Sequence, residues 1–326
     1  MKRLDYYWYN KGFITLILTP VSWLFCLIVI LRQFAYKAGL LKTYNLPVPV
    51  IIVGNITAGG TGKTPLVTWL VEILRKHGYT PGIVSRGYGG GASHWPQQVR
   101  VDSDPRMVGD EAILLARRCH CPMAVGPDRV EASRGILKHT DCDIIVADDG
   151  LQHYALGRNV EIAVIDGVRR FGNGKCLPAG PLREPRNRIN SVDIMITNGV
   201  PGPREYRMTL KPGLVENLVD KGRKCFLKDF SGKTVHAIAG IGNPERFFEQ
   251  LEGYNINIIK HPYPDHYFYK AEDITFDDEL PVLMTEKDAV KCTDISYDRH
   301  WFVPVDAELD ERIENLIMRL IKKNTE

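Results

Sequence analysis

A chain of 326 residues with 44% hydrophobic and 25% charged content can bury more than one core, which excludes a disordered polypeptide. The formal net charge of +3 is too small to argue for nucleic acid as a partner. Seven cysteines form no CxxC pair, several sit in apolar runs, and no disulfide framework follows; a reducing, cytosolic setting is expected for the globular part.

The first feature in chain order is the uncharged run FITLILTPVSWLFCLIVIL, residues 13–31, long enough for a helix to cross a bilayer. A signal peptide would need a small-residue cleavage site, and RQFAYK follows instead. A core helix would show a polar face, yet only Thr15, Thr19 and Ser22 interrupt this run. A membrane anchor over residues 1–46 is expected, spanning or lying in the bilayer, with Pro20 favouring a bend. Lys2, Arg3, Lys11, Arg32, Lys37 and Lys42, with Tyr6, Tyr7, Trp8, Tyr9 and Trp23, suit an anionic lipid surface but leave orientation open.

The β-branched run 50–53 predicts a strand. It empties into Thr57, Ala58, Gly59, Gly60, Thr61, Gly62, Lys63 and Thr64, and a helical pattern follows to Gly78. This is a phosphate-binding loop: backbone N–H groups cradle an anion at a helix N-terminus, Lys63 reaches the β- and γ-phosphates of ATP, and the Thr64 hydroxyl is placed for Mg2+. Thr57 stands where the usual pattern has its first glycine, and an ordinary Gly-rich βα turn is the bland alternative. Ala58 lacks the extra lysine of partition-type ATPases. A cytosolic nucleotide places residues from about 47 onward in the cytosol.

Strand and helix patterns then alternate, with strands expected at 81–85, 122–125, 142–147 and 161–165. The expected fold is α/β: a P-loop NTPase-like parallel sheet (α/β/α) over 47–204, and a second, smaller α/β/α lobe over 205–326. Asp148 and Asp149 end the run DIIVA in the manner of a Walker B strand, whose acid orients magnesium. Asp110, opening an apolar-periodic helix, reads first as an N-cap. The segment 168–188, with Arg169, Arg170, Lys175, Arg183, Arg186 and Arg188, predicts a long loop suited to an anionic substrate, or simply a solvated charged loop.

In the second half strands are expected at 234–239, 256–259 and 281–284, and a last one at 301–303 before the closing helix. AGIGNP at 239–244 lacks the third glycine of a dinucleotide fingerprint, and TEKD at 285–288 resembles a guanine-reading motif too loosely to claim GTP. His266, alone in an aromatic loop, reads as structural unless an acid meets it.

Taken together, the chain resembles the tetraacyldisaccharide 4′-kinase family of lipid A biosynthesis. The matching motifs are NITAGGTGKTP at 55–65, SRGYG at 85–89, GDE at 109–111, DDGLQH at 148–153, LPAGPLREP at 177–185, PDH at 264–266 and TEKD. The resemblance implies transfer of the ATP γ-phosphate to the 4′-hydroxyl of a tetraacyl disaccharide 1-phosphate, giving lipid IVA at the cytoplasmic face of the inner membrane. It implies two α/β/α lobes joined by a two-stranded linker, ATP and Mg2+ as ligands, a lipid substrate and no protein partner. Asp110 then matches the proposed catalytic base and His266 its partner, while Arg86, Tyr88, Glu111, Gln152, His153, Arg183 and Glu184 become candidate substrate-binding residues. A soluble nucleotide kinase with a core helix at 13–31, and a membrane-anchored NTPase switch, are the competing readings.

Overall fold

The computed structural model describes residues 6–10 and 12–324; Lys2, Arg3 and Lys11 of the basic flank lie outside them. A helix over Phe13–Lys37 runs unbroken through Pro20 and is about 37 Å long at 1.5 Å per residue. Among the described residues it is the one helix long and apolar enough to cross a membrane. Its exposure is the reverse of a core helix: Thr19 and Ser22 are buried, while Phe13, Leu16, Trp23, Leu27 and Phe34 are more than half exposed. Spacings of four, three, four and seven put Thr15, Thr19, Ser22, Cys26 and Gln33 on one stripe that faces the protein. Lys175 donates to Thr19 at 2.8 Å, Ser22 Oγ donates to the Cys176 carbonyl at 2.6 Å, and Gln33 donates to Glu184 at 2.8 Å.

The larger sheet has nine strands in the order Val305–Leu309, Glu205–Pro212, Ile194–Asn198, Val160–Asp166, Val50–Gly54, Ile144–Asp148, Pro81–Ser85, Met123–Val125 and Gln97–Gln98. All neighbours are parallel except the pairs at its two ends. The central strand is apolar on both faces: Ile51 and Val53 pack under helices Lys63–Lys76 and Asp110–Cys119, and Val50 and Ile52 pack with Ile136, Leu151 and Leu182. Ligand-binding groups collect where such strands end. The register Val53↔Asp148 sets that acid beside the start of the phosphate loop.

The smaller sheet has six strands in the order Lys224–Cys225, Val215–Asn217, His300–Val303, Val282–Thr285, Thr234–Ala239 and Asn257–Pro262. Its helices Pro244–Gly253 and Glu286–Cys292 pack on two cores of its own.

The lobes divide differently from the sequence expectation. Glu205–Pro212 extends the larger sheet, and after Pro304 the chain forms a further strand, Val305–Leu309, antiparallel to it. These two strands carry the chain between lobes and meet where Gly213 N–H donates to the Pro304 carbonyl at 2.9 Å. Ile313, Ile317 and Ile321 of the last helix then enter the larger core. The smaller lobe is thus an insertion over roughly 213–304, and the closing helix belongs with the phosphate loop. Only a nonlocal strand pairing reveals this, which is why a linear reading placed 205–326 together.

Candidate active site

Between the lobes lies a cleft of about 1130 Å³ whose wall includes residues 58–64, Arg86, Tyr88, Glu111, Asp149, Gln152, His153, Arg183 and His266. The phosphate loop is shaped from within by Asn55, which is fully buried and donates to the Thr57 carbonyl at 2.8 Å while accepting from Lys63 Nζ at 3.2 Å. The Thr57 departure has a local reason. Thr57 forms a β-bridge with Leu182, and Ala58 N–H donates to the Pro181 carbonyl at 2.7 Å. This backbone is extended and needs no glycine there. The left-handed turns fall later, at Gly59 (φ 99°) and Gly62 (φ 96°), and a Cβ on Gly62 would sit 3.0 Å from Asn198 Nδ2. The helix beginning at Lys63 therefore presents open N–H groups to the cleft.

Asp148 ends its strand buried, and Asp149 leaves it with φ 50°, so the two adjacent acids do different things. Asp149 takes two bonds from Arg183 Nη1, at 3.0 and 2.8 Å, and stands 3.4 Å from Lys63. Burial works to raise its carboxyl, but Lys63 and Arg183 outweigh this and hold it well below the usual range. Asp148 accepts from Ser85 Oγ at 3.1 Å on Oδ2, and its Oδ1 is buried with no hydrogen-bond partner among the described residues. Burial, with Asp149 nearby, pushes it up to about 7 against the opposing pull of Lys63. An orphaned carboxylate oxygen beside a hydroxyl-bearing phosphate loop fits a hard cation held by Asp148 and Thr64, with Asp149 already neutralised by protein cations.

The opposite wall joins the two lobes. Gly109, at φ 91°, starts the helix, so Asp110 is its first residue rather than its cap; its Oδ1 accepts from Glu111 N–H at 2.8 Å. Its carboxylate meets His266 Nδ1 at 3.0 Å on both oxygens, across 156 residues of sequence. His266 itself sits at φ 61° with its ring 5.2 Å from that of Tyr88. Burial opposes charge on Asp110, but the His266 bond and the charges of Lys287, His266 and Lys291 hold its carboxyl below its ordinary value. The bond to Asp110 raises His266. The pair joins a proton acceptor to a second group that can take the charge.

The arginine-rich segment does not offer a free basic surface. Arg170 forks onto Glu205 at 2.7 and 2.6 Å, Arg188 meets Glu161 at 2.5 Å, and Arg169 pairs with Asp166 at 3.1 Å. Arg183 holds Asp149 and Lys175 holds Thr19, while Arg186 lies 4.9 Å from the centre of the Phe171 ring. Apart from Glu184, 3.9 Å from Arg188, the acids that engage them lie outside the segment, which its composition could not show. Glu184 is not at the cleft either: 1% exposed, it accepts from Gln33, Gln152, and the Tyr154 hydroxyl, and so ties the long helix to the loop.

Several site groups carry no signal in the sequence. Arg129 is 6% exposed, its Nε has no hydrogen-bond partner among the described residues, and it lines the cleft with Arg86 and with Arg32 from the long helix. Burial, then Arg129, push the neighbouring His153 down to about 4, so it is neutral at pH 7. Asn198 donates to the Thr61 carbonyl at 3.2 Å and accepts from Arg246 of the smaller lobe at 2.9 Å, linking that lobe to the phosphate loop. In TEKD, Thr285 caps its helix and Asp288 is buried against Gly240 N–H. Lys287 Nζ lies 3.0 Å from Glu111 and 3.1 Å from Asp265.

The fold and the motifs agree with known proteins. The family model described as tetraacyldisaccharide-1-P 4′-kinase matches residues 14–322. The tetraacyldisaccharide 4′-kinase of Nitrosococcus oceani is 54% identical over 317 residues, covering 97% of this chain and 94% of that protein. Its counterpart from Coxiella burnetii is 47% identical over 322 residues, covering 98% and 96%. The crystal structure of the "apo" form of LpxK from Aquifex aeolicus in complex with ATP superposes with a TM-score of 0.80 at 27% identity, over 94% of this chain and 99% of that one. A match of this extent in motif order, sequence and fold has one meaning: the chain belongs to the tetraacyldisaccharide-1-P 4′-kinase family.

Proposed function

We propose that this chain transfers the γ-phosphoryl group of ATP to the 4′-hydroxyl of a tetraacyl disaccharide 1-phosphate, forming lipid IVA. The observation that carries the reading is that the phosphate loop and His266, bonded to the buried Asp110, share one cleft, at which Arg32 of the apolar helix also arrives. The acceptor oxygen forms a bond to the γ-phosphorus while the bond from that phosphorus to the β,γ-bridging oxygen breaks, and ADP leaves. Asp110 receives the hydroxyl proton, and His266 shares the charge. Lys63 and the loop N–H groups hold the β- and γ-phosphates, so that acceleration comes from alignment and charge neutralisation. A magnesium ion bound by Thr64 and Asp148 would supply charge neutralisation on the same phosphate oxygens.

Arg86, Arg129 and Arg32 would take the acceptor's 1-phosphate: none of them is paired to an acid among the described residues, and Arg129, whose Nη atoms donate to the Pro127 and Asp149 carbonyls, has no partner there for its buried Nε. The long helix lies in the cytoplasmic leaflet of the inner membrane rather than crossing it, since contacts from Thr19 to Gln33 tie it lengthwise to the protein and turn its apolar side chains outward. A radiolabelled γ-phosphate transfer assay tests the whole reading. Label should pass to the disaccharide lipid and not to a soluble sugar. ATP turnover independent of lipid would instead identify an NTPase switch.

A further inference from the structure

Lys287 occupies a position that the phosphoryl-transfer reading leaves unexplained. It stands on the short helix of the smaller lobe, its side chain 15% exposed, with its ammonium 3.0 Å from Glu111 and 3.1 Å from Asp265. Glu111 adjoins Asp110 in the larger lobe, and Asp265 adjoins His266 in the smaller one. One cation therefore grips the chain neighbour of each member of the pair, from both sides of the seam. We infer that Lys287 is a positioning residue for phosphoryl transfer: it clasps Glu111 to Asp265 and so sets the register in which His266 meets Asp110.

Charge explains why a clasp is needed there. The seam sets Asp110 and Asp265 3.0 and 3.8 Å from a single imidazole with Glu111 next in the chain to Asp110, and Asp110 is buried. Like charges converging in a poorly solvated seam repel strongly unless a cation is placed among them. Lys291, one helical turn on, adds a second charge 3.9 Å from Asp110, but its nearer partner is Asp288 at 2.9 Å, within its own lobe. Lys287 makes the closer bridge, within 3.1 Å of an acid on each lobe. Its charge also bears on how the pair titrates: it adds to the lowering of Asp110 and works against the rise that the Asp110 bond gives His266.

The inference rests on the proposed transfer reaction, and wild-type enzyme assayed in parallel separates the two: a wild type inactive on the disaccharide lipid refutes the reaction, not the clasp. Full-length Lys287→Met should lose about 10- to 100-fold in kcat with KM for ATP within about twofold, the pattern of lost transition-state alignment rather than lost nucleotide binding. The acid limb of its kcat–pH profile should move to higher pH, because both groups of the pair lose a neighbouring positive charge and bind protons more tightly. Lys287→Arg, which keeps the cation, should recover most of the rate. A Lys287→Met enzyme with wild-type kcat overturns the inference. So does a loss matched by a rise in KM for ATP with the acid limb unmoved, or an Arg variant as slow as the Met one. Should Lys287→Met fail to fold, Asp265→Asn removes one arm of the clasp and leaves the ammonium. It should lower kcat with KM for ATP unchanged, and an unchanged kcat would count equally against the clasp.

Discussion

The two walls of the cleft are built in opposite ways. On the nucleotide wall, residues 55–64 are contiguous, and Asn55 and the strand beneath shape the loop within one lobe. On the other wall, Asp110 and His266 come from different lobes, and their contact exists only where the lobes touch. The first wall is preorganised by local backbone, which suits a ligand that must bind tightly and repeatedly. The second is conditional on lobe position, so under the proposed reaction the base would be complete only where the lobes meet.

The largest effect should come from the conditional wall. Asp110→Ala should lower kcat by roughly 10²- to 10⁴-fold, the range of general-base catalysis, with KM for ATP within about twofold. Steady-state kinetics with ATP varied at saturating lipid checks this, and an equal loss of ATP affinity would erase the distinction between the walls. Lys63→Ala should damage both kcat and KM for ATP, because the proposed reaction gives Lys63 the phosphates to hold and it also pairs with Asp149. Arg183→Ala sharpens the same comparison. With Arg183 holding Asp149, its loss should reduce kcat by about tenfold and leave KM for the lipid unchanged. A raised lipid KM would return Arg183 to the acceptor side.

What could be read from the chain follows the same division. The phosphate loop, Asp148 and Asp149 were legible because their residues are adjacent and their spacing is itself the chemistry. Asp110 and His266 drew ordinary readings, an N-cap and a structural imidazole, until the family resemblance paired them, because 156 residues separate them. The arginine-rich loop misleads for the same reason: Glu161, Asp166 and Glu205, which neutralise it, lie outside it. The return of Val305–Leu309 to the larger sheet is a strand pairing with no local signature. Lys287 looked like part of a loose guanine motif, and only the seam shows what it faces.

A smaller effect tests whether the walls communicate. Asn198 accepts from Arg246 of the smaller lobe while donating to the Thr61 carbonyl in the phosphate loop. Arg246→Ala removes the inter-lobe half of this link and leaves the loop bond in place. A net hydrogen bond to a charged group is worth about 1.5–3 kcal/mol in full, and a partly exposed one less, so KM for ATP should rise about threefold to tenfold. No change in nucleotide affinity would mean that the loop is indifferent to lobe position.

The smallest expected effect is on stability, and its sign opposes that of activity. His266 is raised above its ordinary 6.5, so its bond to Asp110 stabilises the folded seam fully below that pH and fades as pH rises through the folded value. Asp110 is lowered below its ordinary 3.8, so its contribution is complete above that value and fades as pH falls through the folded one. Between these limits the pair is fully charged and the lobes are held most firmly. Catalysis needs the reverse. A protonated His266 donating to Asp110 weakens the carboxylate as a base, so kcat should climb as pH rises through the raised His266 value. Melting temperature measured against pH should therefore fall across the interval in which kcat rises. For a pair worth roughly 1 kcal/mol in a lobe of about 200 residues the decline is ~2–4 °C. It should vanish in His266→Gln, which keeps a donor but cannot titrate. If the variant keeps the decline, the pH response belongs to some other group and the seam is not held by this pair.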